Sequence, residues 1–319
     1  GATMKISDAG LAASRETSRV AEPGQPTLVL QVQRTKAAPM DAGDVIYVHG
    51  ATFGADLSFF YRFDGRSWAD EVNLTGLAAW GFDFAGYGAS DRYSQEGDAP
   101  AGRMMDVMTQ LRRVVAAVRA RNGDRPVALV GHSWGGSVAA RYAGARPQDV
   151  KALVLFAPIV MRTPATGAAL APPPSPHYPV TLLGQYRRFI EDVPRGQPQV
   201  LSEAHFLAWG AQYLASDPVG AQRMPPSVTT PWGPIADIGA LWSGQALYAP
   251  RLIVAPTLLV RGEWDSLCTD ADADHLLAGL GTQHKADTKI GRGTHLLHLE
   301  SQRCALHHRV NLFLEGWMK

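Results

Sequence analysis

Cysteine is scarce. Two thiols, Cys268 and Cys304, among 319 residues make no disulfide framework, so a packed core has to hold the fold. An excess of charge is lacking as well: 30 Lys plus Arg stand against 29 Asp plus Glu, which leaves no broad basic face to grip a nucleic-acid backbone. No uninterrupted apolar run approaches the roughly 20 residues that cross a bilayer, and the longest, such as 252–260, are strand-length. Over residues 1–20, Lys5, Arg15 and Arg19 accompany no apolar stretch that could be the core of a signal peptide. Cytoplasmic residence is therefore the default expectation. A phosphate-binding G-x-x-x-x-G-K-[ST] loop is absent, and Gly86-Tyr87-Gly88 is not followed by the glycine a dinucleotide turn requires. No Cys/His cluster has zinc spacing. The chemistry is expected to need neither cofactor nor metal.

What is present is a globular composition, 46% hydrophobic and 18% charged, with length enough for one large α/β domain or two ordinary ones. Residues 27–35 alternate apolar and polar side chains like a half-exposed strand, and 45–48 form a short apolar run ending in His49-Gly50. A helix is expected over 67–74 and a strand over 77–84. Met104, Val107, Met108, Leu111, Val114, Val115 and Val118 recur at helical spacing, which predicts an amphipathic helix over 104–121 closed near Asn122-Gly123. A strand at 126–130, a turn at 131–136 and a helix at 137–145 follow, then another strand at 152–156. Near-continuous apolar strands separated by helices mark a parallel sheet covered on both faces. The expected class is a doubly wound, mostly parallel α/β fold.

The pattern stops at Ala157-Pro158 and resumes at 256–260. We divide the chain into an N-terminal segment (1–26), a first core part (27–158), a mainly helical insertion (159–251) and a second core part (252–319). The insertion starts with a Pro-rich stretch, 171–176, and has helix-like pieces at 183–192 and 202–214. It is also rich in aromatics. Beyond it a helix is expected over 270–280, a last strand over 286–290 and a terminal helix over 301–318.

Gly131-His132-Ser133-Trp134-Gly135 fits G-x-S-x-G, a sharp strand-to-helix turn that exposes a serine hydroxyl above a parallel sheet. The pattern alone is weak evidence; its place between strand and helix, with Gly135, Gly136 and Ala139 allowing close packing, strengthens it. A serine at its free pKa is a poor nucleophile and needs a base within reach, itself oriented by a third group. His295 lies just past the last strand, whereas His298 is one helical turn further on and is expected to pack or cap. The acid should close a strand between nucleophile and base. After 152–156 there is none; after 257–260 come Glu263 and Asp265. Physics alone does not separate these two, but Gly262 permits a tight turn and Asp265 lies further out towards the histidine, so Asp265 is favoured. Backbone N–H groups of Trp134 and Ala51 are the candidate donors to an oxyanion.

Together His49-Gly50, Asp83-Phe84-Ala85-Gly86-Tyr87-Gly88-Ala89-Ser90-Asp91, the serine turn, Gly262-Glu263-Trp264-Asp265 and Gly293-Thr294-His295 resemble the α/β-hydrolase superfamily, in its capped branch of esterases, lactonases and carbon–carbon hydrolases. The resemblance covers about 27–318. It implies that the insertion is a cap over the active site and that the loop from Asp83 to Asp91 is structural. Haloalkane dehalogenases and epoxide hydrolases carry an aspartate where this chain has Ser133. Prolyl aminopeptidases share Gly-x-Ser-Trp-Gly-Gly, but His49-Gly50-Ala51-Thr52-Phe53-Gly54 departs from their His-Gly-Gly-Pro-Gly loop. The leading expectation is hydrolysis of a carboxylic ester of a small molecule, apolar or aromatic, in a pocket lined by Trp209, Trp232 and Trp242. Lactone or carbon–carbon cleavage would use the same triad, and a non-catalytic small-molecule-binding fold is the alternative of another class. The oligomeric state stays open, a homodimer included.

Overall fold

The structure, a computed structural model, describes residues 13–35, 42–164 and 175–319. The chain begins with β1 (Ala13–Val20), β2 (Leu28–Thr35) and β3 (Asp44–Val48), then α1 (Trp68–Asn73) and β4 (Ala78–Phe82). Next come α2 (Met104–Arg121), β5 (Val127–His132), α3 (Trp134–Ala145) and β6 (Val150–Phe156). The insertion contributes β7 (His177–Thr181), α4 (Leu182–Ile190), α5 (Glu203–Ala215), β8 (Ser227–Pro231) and α6 (Gly233–Trp242). It is mainly helical, with β7 and β8 paired as an antiparallel ribbon. The chain closes with β9 (Thr257–Gly262), α7 (Asp270–Gly279), β10 (Lys285–Ile290) and α8 (Arg303–Met318). The last two residues of the Pro-rich stretch, Ser175 and Pro176, are described; 171–174 lie outside the described residues.

Among the described residues, eight strands form one sheet in the order β1-β2-β4-β3-β5-β6-β9-β10. The pairs β1–β2 and β2–β4 are antiparallel, and from β4 to β10 every pair is parallel. Parallel strands of this kind must bury both faces, and β3 shows how: Ile46 and Val48 face a core made with α2, α3 and α7, while Val45 and Tyr47 face a core made with α1 and α8. Each fully buried Val or Leu contributes roughly 1.5–3 kcal/mol of transfer free energy. From β3 the chain steps one way to β4 and then back past itself to β5. This reversal opens a crevice at the carboxyl ends of β3 and β5, where sheets of this class bind ligands.

Two elements differ from expectation. Strand β2 is buried from Leu28 to Gln33 rather than half-exposed. Its polar positions find polar partners: Gln33 donates to Asp70 (2.7 Å) and Asn73 (2.8 Å) of α1, and Gln31 to Asp56 (2.7 Å). Its outer edge is covered by β1, an exposed strand within the N-terminal segment. Helix α3 begins at Trp134, three residues before the expected 137, so the turn after β5 is shorter than read from its glycines.

Above the carboxyl edge of the sheet, the insertion is joined to the core by a third apolar cluster. Phe53 and Leu57 from the loop after β3 pack with Phe189, Phe206, Trp209 and Leu296 there. Among the described residues, no helix is long and apolar enough to cross a membrane.

Candidate active site

Because β5 passes straight into α3, one residue has to absorb the change of direction. Ser133 does so with φ 58° and ψ −127°, a region that costs a non-glycine residue of order 1–3 kcal/mol and persists only where its surroundings enforce it. Here they do: the Ser133 N–H donates to the Phe156 carbonyl (3.0 Å), and the Ser133 carbonyl accepts from Gly136 (2.8 Å). Close packing also demands glycine at 135, where a Cβ would run into the carbonyl oxygens of Val48 and His49. The serine hydroxyl is thereby held at the carboxyl end of the sheet.

His295 arrives on the loop after β10. Its Nε2 lies 2.7 Å from Ser133 Oγ and its Nδ1 2.9 Å from Asp265 Oδ2. A carboxylate only accepts, so the ring proton belongs on Nδ1, which leaves the Nε2 lone pair facing the serine hydroxyl. Asp265 is pinned from its other side, Oδ1 accepting from the backbone N–H of Leu267 (2.8 Å) and Cys268 (3.1 Å). All three side chains are buried. The two loops are fastened together, since Trp264 N–H donates to Gly293 O (2.8 Å) and a Cβ at Gly262 would collide with Gly293. Glu263 instead is exposed and accepts from the Arg292 N–H (3.0 Å). The structure thus brings Asp265, and not Glu263, to the histidine.

The loop after β3 closes against this turn. A Cβ at Gly50 would stand 3.0 Å from the His132 carbonyl and 3.3 Å from Ser133 Cβ, so Gly50, the residue before Ala51, packs against the serine turn. Trp134, at the first position of α3, has an N–H with no acceptor inside its own helix. His49 anchors the loop: its Nδ1–H donates to Gly50 O (2.7 Å) and its Nε2 accepts from Phe84 N–H (3.0 Å). Burial drives its pKa down to about 4, which keeps it neutral and suited to both roles. Asp83 accepts from Ala55 N–H (3.0 Å) and steadies the far end of the same loop. Burial, then the nearby Asp56, raise its carboxyl to about 7.

Several supports are not evident from sequence. His132 Nε2 donates to the His295 carbonyl (2.9 Å), and its ring stacks on Phe156 at 4.3 Å. Burial, followed by His298 and His295, holds it well below the usual histidine range and hence neutral. Glu300 takes both the Thr294 N–H (2.9 Å) and its hydroxyl (2.5 Å), fixing the residue before His295. Asp237 of α6 accepts from Trp134 Nε1 (2.9 Å), Met104 N–H (2.6 Å) and Arg103 Nε (2.9 Å). A lone acid in the apolar run Ile235-Ala236-Asp237-Ile238 was its available signal. His298 packs, as expected, among the rings of Phe53, Phe156 and His132.

The three tryptophans lie apart from one another. Trp209 is buried between Phe53, Phe189 and Tyr213 and donates to Leu57 O (2.8 Å). Half-buried Trp232 meets Tyr178 edge-on at 4.2 Å, and Arg162 lies over Trp242 at 4.1 Å. A cavity of about 430 Å³ runs between the loop after β3, the loop from Gly86 to Arg92 and the insertion. Thr52 and Phe53, which follow Ala51 in the chain, form part of its wall; neither the three tryptophans nor Ser133, Asp265 and His295 line it. Among the described residues no cluster of His, Cys, Asp and Glu could hold a metal ion.

A family profile described as "alpha/beta hydrolase fold" matches residues 45–302. The chain belongs to this family. Lipase LipV of Mycobacterium tuberculosis is 54% identical over 46 residues, which are 14% of this chain and 18% of that protein. The chain thus matches less than a fifth of that relative's length. The thioesterase domain from the curacin biosynthetic pathway superposes with a TM-score of 0.60 at 20% identity, covering 94% of this chain and 99% of that one. A monoacylglycerol lipase of Paleococcus ferrophilus does so with 0.57 at 15% identity, covering 95% and 98%. At such identities the likeness is one of fold.

Proposed function

We propose that this α/β-hydrolase family member is a serine hydrolase that cleaves a carboxylic ester of a small molecule, with Ser133 as nucleophile, His295 as general base and Asp265 as the orienting acid. The observation that carries the reading is the single imidazole bridging Ser133 Oγ and Asp265 Oδ2 at 2.7 and 2.9 Å. Ser133 Oγ attacks the acyl carbonyl and passes its proton to His295 Nε2; the imidazolium is supported by Asp265. The N–H groups of Trp134 and Ala51 receive the developing oxyanion. Collapse expels the alcohol, protonated by His295, and water then frees the acyl group by the same route. No cofactor takes part in this scheme. The insertion acts as a cap, and the cavity beneath it takes the substrate. Phe53 forms part of that wall and Trp209 backs it, so the tryptophan shapes the pocket through its neighbour.

Labelling with a fluorophosphonate, together with a panel of 4-nitrophenyl esters, lactones and a diketone, tests the reading. The wild-type protein should label once and hydrolyse at least one ester, and Ser133→Ala should lose both while keeping its thermal stability. Equal labelling of Ser133→Ala, or turnover retained beyond a few per cent with contamination excluded, would sink the assignment.

A further inference from the structure

Helix α4 places two polar side chains on the turn that follows Ala51. Gln185, fully buried, donates from Nε2 to Thr52 Oγ1 (2.8 Å). One helical turn on, Arg188 Nη1 donates to the same Oγ1 (2.9 Å) and to Gln185 Oε1 (3.2 Å). Thr52 itself has φ +74°, so its hydroxyl is presented by a constrained backbone rather than a mobile loop. One nitrogen of the guanidinium is thus tied down on the residue that follows Ala51. Its Nη2 and Nε donate to no acceptor among the described residues; besides these bonds the guanidinium lies 5.9 Å from the centroid of the Phe189 ring, and no described carboxylate pairs with it. Arg188 is half-buried, and Thr52, to which it donates, lines the cavity beside the insertion. The titratable groups within its field are His132, His298, Tyr178, Tyr213 and the exposed carboxylate of Glu191, just past the end of the helix, which feels the charge without bonding to it.

A half-buried cation held by neutral partners lacks the counter-charge that ordinarily offsets desolvation. Its planar fork matches a carboxylate with two parallel N–H···O bonds. Two neutral histidines and two phenols lie within its field, and the acid there, Glu191, is exposed and not bonded to it, so the site offers one positive charge that no ion pair neutralises. That suits a monoanion better than a phosphate dianion. We propose that Arg188 is the carboxylate receptor of this active site, and that the preferred ester carries a free carboxylate which docks on Nη2 and Nε while its carbonyl lies at Ser133. Arg188 is then a specificity residue, and Gln185 and Thr52 position it. The inference rests on Ser133 being the nucleophile, but its test separates the two ideas.

Two matched substrate pairs read it on either side of the ester: the 4-nitrophenyl monoester of glutaric acid against 4-nitrophenyl pentanoate, and 4-carboxyphenyl against 4-carbamoylphenyl butyrate. In at least one pair the anionic member should have the higher kcat/KM. Arg188→Met should lower kcat/KM for that member at least about tenfold more than for its neutral partner, chiefly through KM, as loss of a charge-assisted pair implies. Arg188→Lys should restore part of the difference. An equal loss for both members would mean that Arg188 merely ties α4 to Thr52, and no anionic preference in either pair would also overturn the proposal. A binding arm needs no turnover: monomethyl glutarate, a monoanion, should raise the Tm of Ser133→Ala but not of Ser133→Ala/Arg188→Met. Failure of labelling at Ser133 with this binding intact would refute the hydrolase reading alone, and stabilisation by sulfate equal to that by monomethyl glutarate would refute the carboxylate assignment alone.

Discussion

Asp265 and Glu263 stand two residues apart on one loop, and only geometry distinguishes them. Asp265→Asn keeps the loop's shape but removes the charge that favours the Nδ1–H tautomer and the imidazolium, so kcat should fall by about 10³ to 10⁴. Glu263→Gln touches only the Arg292 N–H and should change kcat less than about twofold; the two variants measured in parallel decide it. Glu300 offers a test through pH. Burial, against the opposing bonds from Thr294, raises its carboxyl to about 7, above the ordinary value of about 4.3 expected in the unfolded chain. The folded protein therefore holds the proton more tightly, and this contribution to stability is complete below about pH 4 and lost as pH rises through about 7. Glu300→Gln keeps partners for Thr294 without titrating, so its Tm should decline less than wild type between pH 5 and 8. Parallel declines would show that Glu300 does not titrate in that window.

Elements were legible where burial follows one period. The helix over Met104–Arg121 falls on the span its apolar spacing predicts because Val107, Leu111, Val114 and Val118 face a single core. Helix α3 starts earlier than its sequence suggests for the opposite reason: Gly135 and Gly136 look like turn formers, yet glycine is needed at 135 for contact with the carbonyls of Val48 and His49. Strand β1 has no apolar alternation, so pairing with β2 rather than burial defines it. The strand ends carrying Ser133, Asp265 and His295 were readable from chain order. Arg188 was not, since its partner Thr52 lies 136 positions away. The same distance problem hid Asp237, which joins α6 to the starts of α2 and α3. Asp237→Ala would strand the Trp134 indole N–H and the Met104 N–H, two buried donors, at a cost of roughly 2–4 kcal/mol. Chemical denaturation should show that loss, with Asp237→Asn in between; a change below about 0.5 kcal/mol would mean that water replaces the carboxylate.

At the scale of the whole molecule, insertion and core share the cluster around Phe53, Phe189 and Trp209. Truncating its largest member, Trp209→Ala, should cost about 3–5 kcal/mol and lower the midpoints of probes in both parts together. Trp232→Ala and Trp242→Ala, at half-buried positions, should cost less. A Trp209→Ala protein whose core probes melt as before would show that the insertion unfolds by itself.

The ends of the sheet say how copies of the chain can meet. Of its two outer strands, β1 shows Arg15, Glu16 and Arg19 to solvent and β10 shows Lys285, Asp287 and Lys289. An incoming strand at either rim would have to strip these charges of water before gaining a single ladder bond, and edges decorated in this way resist strand addition. Self-association by continuation of the sheet from one copy into the next is thereby disfavoured at both rims, so a homodimer would have to be built from helices or from the insertion, and a partly unfolded chain is guarded against growing into fibres along these strands.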